Sequence, residues 1–267
     1  MSRVKKLVLP PSPFNGVLTH LRQPLIWARL ECDVRIEDLQ TKRFDEALSL
    51  LQDHFFLEET LCRASELATE PESVQSYLEV ARKWMQDGAS LCAMDQESGA
   101  MVGVLVARVA SRLEHSLTQE KLQLLLLQGE AFLKVMSLRC HMAAAGNIFE
   151  NFDTDSFFHI HAICVKPKFR GRGIGMGLLL SGARLATALR QPALAGVFTS
   201  DRGQTLARKL GMGVAHEVSY ADWTDEEGEI VFDNPGRGNY SSMAMAMRVP
   251  RLFSESTMYS LGQGLDF

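Results

Sequence analysis

The segment His159–Leu180, HIHAICVKPKFRGRGIGMGLLL, constrains the fold of this chain more than any other. An apolar run typical of a strand meets a basic, glycine-rich turn, and the turn leads into a run with helical character. A helix that begins at such a turn leaves backbone N–H groups unpaired and carries the positive end of the helix dipole. The turn also contributes charge and approachable backbone through Arg170, Gly171, Arg172, Gly173 and Gly175. The segment therefore predicts a site for an anion such as a phosphate.

The spacing of the glycines separates the kinds of phosphate-binding turn. The dinucleotide pattern G-x-G-x-x-G fails, because Met176 stands where its last glycine would follow Gly171 and Gly173. The Gly-Lys-Ser/Thr ending of a P-loop is absent from the turn. The spacing that remains is Arg170-x-x-Gly173-x-Gly175, between a predicted strand and a predicted helix.

Composition and charge are those of an ordinary globular chain. Of 267 residues, 46% are hydrophobic and 22% are charged, which suits one large domain. The net charge of −4 gives no electrostatic basis for binding nucleic acid, and no apolar run is long enough to span a membrane. The 5 cysteines are scattered and form no C-x-x-C pair. We therefore expect a cytoplasmic protein without disulfides or metal, and without a nucleic-acid or membrane partner.

Hydrophobic periodicity predicts an α/β chain in which helices and strands are mixed. Helices are expected over 42–54, 71–86, 174–190 and 203–210, with a helical insertion over 112–149 that includes a buried helix at 122–135. Strands are expected over 30–36, 90–95, 101–109, 157–165, 194–199, 214–220 and 242–249. This order implies a mixed (α+β) sheet, mostly antiparallel and flanked by helices. We expect a variable N-terminal extension over 1–30, a domain over 31–250 and a C-terminal tail over 251–267.

Several segments of the chain resemble a known family. The glycine turn and its lead-in Val165–Pro167 resemble the acetyl-CoA pyrophosphate loop of the GCN5-related N-acetyltransferases, the GNAT family. Three further segments resemble insect arylalkylamine N-acetyltransferases: HFFLEETL at 54–61, KLGM at 209–212 and EVSYADWTDEEGEIVF at 217–232. The resemblance implies the GNAT fold, a monomer and direct transfer of acetyl from acetyl-CoA to a small arylalkylamine in a ternary complex. Serotonin, dopamine, tyramine and tryptamine are amines of this class.

The acidic pair in the segment 54–61 supplies the first candidate catalytic group. The second acid of this pair is regarded as the general base in the insect enzymes, which implies that role for Glu59. A primary ammonium has a pKa of about 10.4, so a group must accept its proton before the amine attacks a thioester. Glu58, Phe55 and Phe56 are then expected to help bind the amine. From the residues alone, the two acids could equally form a solvated turn, and the two rings could equally belong to the hydrophobic core.

Two strand histidines supply the second candidate. His159 and His161 are two positions apart, so their side chains point to the same face of a strand. The run resembles the H-x-H-A-L-x-V segment of vertebrate serotonin N-acetyltransferases, where the histidines are linked to proton removal through water. Histidine titrates near neutral pH and suits such a relay. The alternative is that both are bonded to neighbours and have no chemical role.

The strand that carries the histidines is also expected to bind the co-substrate. The resemblance implies that the backbone of Ile163, Cys164 and Val165 holds the pantetheine arm and that an N–H there stabilises the oxyanion. Ile174, at the start of the following helix, belongs to the pyrophosphate loop in the same way. The Cys164 thiol is expected to be a small buried side chain and not an acetylated nucleophile.

The segment after the next strand both matches and departs from the insect enzymes. Thr199 keeps a hydroxyl at a position where they carry one, and we expect it beside the co-substrate. Gly203 lacks the second hydroxyl, and Ala207 stands where many GNAT proteins have a tyrosine that protonates the departing thiolate. The acid that serves the leaving group is therefore unassigned.

Two other functions stay open at this point. The acceptor could be agmatine, a polyamine, a hydrazine or a protein N-terminus, for which the acids within Asp222–Glu229 could supply negative charge. The chain could instead be a non-catalytic GNAT-like binding protein, since it lacks a hydroxyl and a tyrosine of the enzymes. The intact glycine turn together with Glu59 argues against the second alternative.

Overall fold

The computed structural model describes residues 23–112 and 128–249. The strands of this part are β1 Ile26–Leu30, β2 Val34–Asp38, β3 Leu91–Asp95, β4 Met101–Ser111, β5 Ser156–Val165, β6 Ala193–Phe198, β7 Gly213–Ser219 and β8 Ser241–Arg248. They form one 8-stranded sheet in the order β1-β2-β3-β4-β5-β6-β8-β7. Every neighbouring pair is antiparallel except β5 with β6, which is parallel. The predicted mixed and mostly antiparallel sheet is confirmed.

Helices cover both faces of the sheet. They are α1 Phe44–Leu50, α2 Phe56–Glu58, α3 Thr60–Ala64, α4 Pro71–Gln86, α5 Glu130–Ala145, α6 Ile148–Asn151, α7 Ile174–Ala188 and α8 Asp201–Leu210. Helices α1, α4 and α5 enclose one hydrophobic core, and α7 and α8 enclose the other on the opposite face. Among the described residues, no helix is both long and apolar enough to cross a lipid bilayer.

The start of the domain differs from the prediction. One strand is expected over 30–36, but the structure has the antiparallel hairpin β1–β2. Asp33 turns the chain there with a φ of 58°, a left-handed conformation that a short polar side chain tolerates. Strand β1 therefore lies before the expected domain boundary at residue 30. The rest of the extension, the tail and part of the expected helix 122–135 lie outside the described residues.

Helix α4 forms where its sequence predicts it. Pro71 occupies the first turn, where a missing N–H costs nothing, and the helix ends at Gln86. Its buried stripe includes Tyr77 and Trp84, which the 3.6-residue period of the helix brings to the same face. This face packs on the sheet and on α5, so that the Trp84 ring stacks on His161 of strand β5 and the Tyr77 ring contacts Phe132 of α5.

The parallel pairing of β5 with β6 is short. It consists of Phe158 with Leu194, His159 with Ala195 and Ile160 with Gly196, and the two strands continue beyond it without further pairs. A Cβ on Gly196 would lie 3.0 Å from the Ile160 carbonyl oxygen. Glycine at position 196 therefore allows β5 and β6 to lie close together at their last pair, beyond which the two strands diverge.

Substitution of this glycine should destabilise the sheet. We expect Gly196→Ala to lower the free energy of unfolding by about 1–2 kcal/mol, because the added methyl meets backbone that cannot move away freely. Gly213→Ala in β7 is the matched control, since its Cβ would meet only the Ala246 carbonyl, at 3.9 Å. Urea unfolding of the two variants measures the difference. Equal losses would show that close approach at Gly196 does not matter.

Candidate active site

The basic turn has the geometry of an anion site. Gly171 and Gly173 have φ angles of 75° and 77°, which favour glycine. A Cβ on Gly171 would meet no atom within 4 Å, so this part of the turn faces open space. Helix α7 begins at Ile174 directly after it, with Gly173 as its N-cap. The unpaired N–H groups of the first turn of α7 therefore lie next to exposed, approachable backbone.

The two arginines of the turn have different surroundings. Arg170 donates from Nε to the Val165 carbonyl oxygen at 2.9 Å and forms an ion pair with Glu58 through Nη1. Arg172 lies over the Phe169 ring, with its guanidinium carbon 5.3 Å from the ring centre. Glu58 thus connects the acidic segment to the basic turn, and an anion that binds Arg170 must compete with it.

Strand β5 presents free backbone to the gap that opens beside β6. The Lys166 N–H donates to Val102 in β4 at 2.9 Å. Because N–H groups alternate between the two edges of a strand, those of Val165 and Ile163 point to the other edge, toward the gap. The bond from Arg170 to the Val165 carbonyl shows the same direction. An extended ligand in the gap could pair with this edge as a strand would.

Glu59 lies between two short helices and is held from two sides. Its Oε2 accepts from the Cys62 N–H at 2.8 Å and so caps α3, while its Oε1 accepts from the Thr199 hydroxyl at 2.5 Å. Thr199 directly follows β6, so the carboxylate is placed at the β6 side of the gap. A carboxylate has about four acceptor sites, and two of them remain for a substrate or water.

The helix that leads to Glu59 contains one wide turn. Residues Leu51–Phe55 form a π-helical turn between α1 and α2, a feature that often occurs near functional sites. Phe55 ends this turn and Phe56 follows it; both are buried, with ring centres 6.2 and 4.9 Å from that of Tyr77. The expected contact of these two phenylalanines with an amine stays a prediction, and their visible role is packing.

A second set of contacts fixes Thr199. The Tyr220 hydroxyl donates to the Thr199 carbonyl oxygen at 2.5 Å. Burial raises the pKa of Tyr220, and the nearby charge of Glu59 adds to the rise, so the phenol stays protonated as a donor. Ser200 caps α8, since its hydroxyl accepts from the Gly203 N–H at 3.1 Å, while Ala207 is fully buried. Neither Gly203 nor Ala207 therefore supplies an acid that could protonate the leaving thiolate.

The two histidines of β5 lie together on the face that carries α4 and α5. Their ring centres are 4.3 Å apart, and His161 stacks on Trp84 at 3.9 Å with the planes within 8°. Burial, helped by His159, Arg108 and Arg139, lowers the pKa of His161 well below its ordinary value. His161 is therefore neutral, and its buried Nε2 has no hydrogen-bond partner among the described residues. A relay role for the pair remains a prediction.

Cys164 lies in the core below the gap. Its side chain is buried, and burial raises the pKa of its thiol to about 12. A thiol with such a pKa is almost wholly protonated at neutral pH and is a poor nucleophile. The side chain is buried in the core as expected, and the contact of its backbone with the co-substrate stays a prediction. No group of three or more His, Cys, Asp and Glu residues within 23–112 and 128–249 could hold a metal ion.

Three residues near Glu59 are not among the candidate residues predicted from the sequence. Tyr77 and Arg139 lie on helices α4 and α5, and Tyr220 follows β7. Tyr77 and Tyr220 look like ordinary core residues. Only an arginine within an apolar helical run, at position 139, breaks its local pattern and could have drawn attention.

Comparison with solved structures identifies the fold. A protein described as arylalkylamine N-acetyltransferase 7 of the yellow fever mosquito Aedes aegypti has a TM-score of 0.76 and 24% identity, covering 85% of this chain and 96% of that chain. Arylalkylamine N-acetyltransferase 2 of Aedes aegypti has a TM-score of 0.76 and 23% identity, covering 82% and 100%. No protein-family model and no curated protein matches the sequence.

A third neighbour acts on a different kind of amine. The polyamine N-acetyltransferase of Drosophila melanogaster, which forms N-acetylagmatine, has a TM-score of 0.70 and 21% identity, covering 81% of this chain and 100% of that chain. These comparisons show that this chain has the GNAT acetyltransferase fold. The particular proteins to which it is similar are insect arylalkylamine and polyamine N-acetyltransferases.

The lowered pKa of His161 should make stability depend on pH. The folded protein keeps this ring neutral, whereas the unfolded chain protonates it below about pH 6.5. The unfolded state therefore binds more protons in acid, and His161 lowers the free energy of unfolding by up to about 1.4 kcal/mol per pH unit below that value. We expect His161→Phe, which keeps a flat ring on Trp84, to lose less stability than the wild type between about pH 7.5 and about pH 5.5 in urea unfolding.

The matched control for this experiment is His54→Gln, which removes a half-buried histidine from a different part of the chain. It should keep the pH dependence of the wild type. If His161→Phe also kept it unchanged, the pKa of His161 could not differ between the folded protein and the unfolded chain.

Proposed function

We propose that this protein is an acetyl-CoA-dependent N-acetyltransferase that acts on a small primary arylalkylamine. The observation that carries the proposal is the carboxylate of Glu59, which the Thr199 hydroxyl holds at 2.5 Å beside the gap between β5 and β6. A general base must lie within hydrogen-bond reach of the proton that it removes. The fold and the four matching sequence segments support the same activity.

The residues of the turn and the gap suit acetyl-CoA. Its pyrophosphate would bind at the start of α7, where Gly171 and Gly173 leave the backbone approachable and Arg170 adds charge. Its pantetheine arm would pair with the free edge of β5 at Ile163 and Val165. The thioester would then lie in the gap near Thr199, and therefore near Glu59.

The reaction follows from these positions. Glu59 accepts a proton from the bound ammonium, directly or through a water, and the free amine attacks the carbonyl carbon of the thioester. A backbone N–H of the β5 edge stabilises the oxyanion as the C–N bond forms. The nitrogen then loses its second proton to solvent, the C–S bond breaks and the amide is released. The departing thiolate, whose thiol has a pKa of about 8.5, takes a proton from solvent, and Glu59 gives its proton to solvent.

The polyamine alternative has one point in its favour, the likeness to an agmatine-acetylating neighbour. The acids within Asp222–Glu229 that could attract a second cation are all exposed in the structure. A solvent-exposed carboxylate contributes little to binding a small ligand. The arylalkylamine therefore remains the proposed acceptor.

Removal of the base should abolish most of the activity. We expect Glu59→Gln to lower kcat for tyramine or tryptamine by about 100-fold or more, because the amide cannot accept the proton. Acetyl-CoA binding should stay close to that of the wild type. Thiol release over a panel of amines measures the rate, and titration calorimetry measures the binding.

Asp53→Asn is the matched control, since it removes an exposed carboxylate from the π-helical turn that leads to Glu59. It should keep the rate of the wild type. A Glu59→Gln variant with full rate would remove this residue as the base and direct attention to His159 and His161. No turnover of any amine by a wild-type protein that binds acetyl-CoA would refute the proposed function itself.

The ion pair between Glu58 and Arg170 should oppose binding of the co-substrate. We expect Glu58→Gln to bind acetyl-CoA about two- to fivefold more tightly, because an exposed ion pair of modest strength no longer holds the arginine. Arg170→Gln should weaken binding by about tenfold or more, since a charged contact to phosphate is lost. Weaker binding by Glu58→Gln, measured by calorimetry, would contradict this competition.

A further inference from the structure

Arg139 is a buried cation with one hydrogen bond and no ion pair among the described residues. Its side chain lies on α5 and the residue is 6% exposed. Within the described part of the chain, the guanidinium makes one hydrogen bond, from Nη2 to the His161 carbonyl oxygen at 2.5 Å. The ion pairs of that part of the chain do not include it, so no carboxylate there lies within 4.0 Å. A guanidinium has five N–H donors, and a buried charge without a partner is destabilising.

The position of Arg139 relates it to the gap. His161 follows the last pair between β5 and β6, Ile160 with Gly196, so the arginine contacts β5 where the strands begin to diverge. Helix α5, which carries Arg139, packs against α3 and against β6. Helix α3 is the helix that Glu59 caps, and strand β6 leads to Thr199. Arg139 therefore lies on the same side of the sheet as the proposed base.

Electrostatics place the same groups together. Burial raises the pKa of Tyr77, while Arg139 opposes the rise and Glu59 adds to it. The Tyr77 hydroxyl and the His161 Nε2 are both buried without a hydrogen-bond partner among the described residues. Unpaired polar atoms in such a cluster are usually bonded to ordered water or to a ligand. The acceptor side of the site thus combines one negative group, a buried positive group and unpaired polar atoms.

We propose that Arg139 is a specificity-determining residue, whose fixed charge restricts the acceptor to amines with a single positive charge and disfavours diamines and polyamines. The inference rests on the proposed function and narrows its substrate class. The ammonium that reacts is attracted by Glu59 and loses its charge there. A second cation on the same molecule keeps its charge and meets the guanidinium in a region of low dielectric, where repulsion is strong.

The aromatic surroundings agree with this selection. An uncharged ring can lie against a guanidinium with favourable energy, and a phenol or indole can bond to unpaired polar atoms. His161 stacked on Trp84 shows that flat rings already pack in this region. A singly charged arylalkylamine therefore satisfies the site at both ends, whereas a diamine satisfies it at one.

The experiment uses two substrates that differ by one charge. Putrescine carries an ammonium at each end, and n-pentylamine replaces one of them with a methyl group of similar size. The quantity measured is kcat/KM for each, with tyramine as the reference amine. We expect the wild type to favour pentylamine over putrescine by about tenfold or more. In Arg139→Gln and Arg139→Met, this preference should fall by about tenfold, and in Arg139→Lys it should remain.

Controls separate specificity from folding and from loss of activity. Lys83→Gln removes an exposed positive charge from α4 and should keep the preference of the wild type. Melting temperature and acetyl-CoA affinity show whether each variant is folded. If a variant does not fold, the rates of the wild-type protein with the two amines still test the inference.

The outcomes distinguish the inference from the function on which it rests. A wild-type protein that acetylates tyramine but uses putrescine as well as pentylamine overturns the role of Arg139. The same holds for folded Arg139→Gln and Arg139→Met variants that keep the full preference. If the wild type acetylates no amine although it binds acetyl-CoA, the proposed function fails first.

Discussion

The parallel contact between β5 and β6 ends where Gly196 lies against the carbonyl of Ile160, and the proposed site depends on that ending. Beyond it, one edge of β5 is free to pair with an extended ligand. The basic turn and the start of α7 lie at the far end of the same strand. On the other side of the gap, β6 delivers Thr199, whose hydroxyl meets Glu59. Continued pairing of the two strands would close this space.

Charges around the gap are arranged in two layers. On the outside, Glu58 and Arg170 form an exposed pair that an anion can replace at small cost. On the inside, Glu59 is held by neutral donors, and Arg139 is buried without a carboxylate beside it among the described residues. The outer layer suits reversible binding of a phosphate. In the inner layer, the charges of Glu59 and Arg139 have fixed positions. Selection among amines requires such fixed charges.

Local features were predictable because the physics that produces them is local. Glycines with positive φ in the turn, the start of α7 and a proline in the first turn of α4 each follow from a few neighbouring residues. The contact of Glu59 with Thr199 was not predicted, because 140 positions separate the two residues and Thr199 was expected only beside the co-substrate. The hairpin β1–β2 was missed because Asp33 resembles any polar residue in an alternating run. Nothing local distinguishes Tyr77 from a core tyrosine.

The sequence by itself determined the basic glycine turn, the mixed sheet and the segments that carry the candidate acids and histidines. Periodicity, glycine spacing and proline act over one turn or one strand, so they can be read without knowledge of the fold. Only the tertiary structure decided which of these groups meet. The order of strands in the sheet placed Thr199 beside Glu59 and set Arg139 against His161, because contacts between distant segments arise from the packing of whole elements.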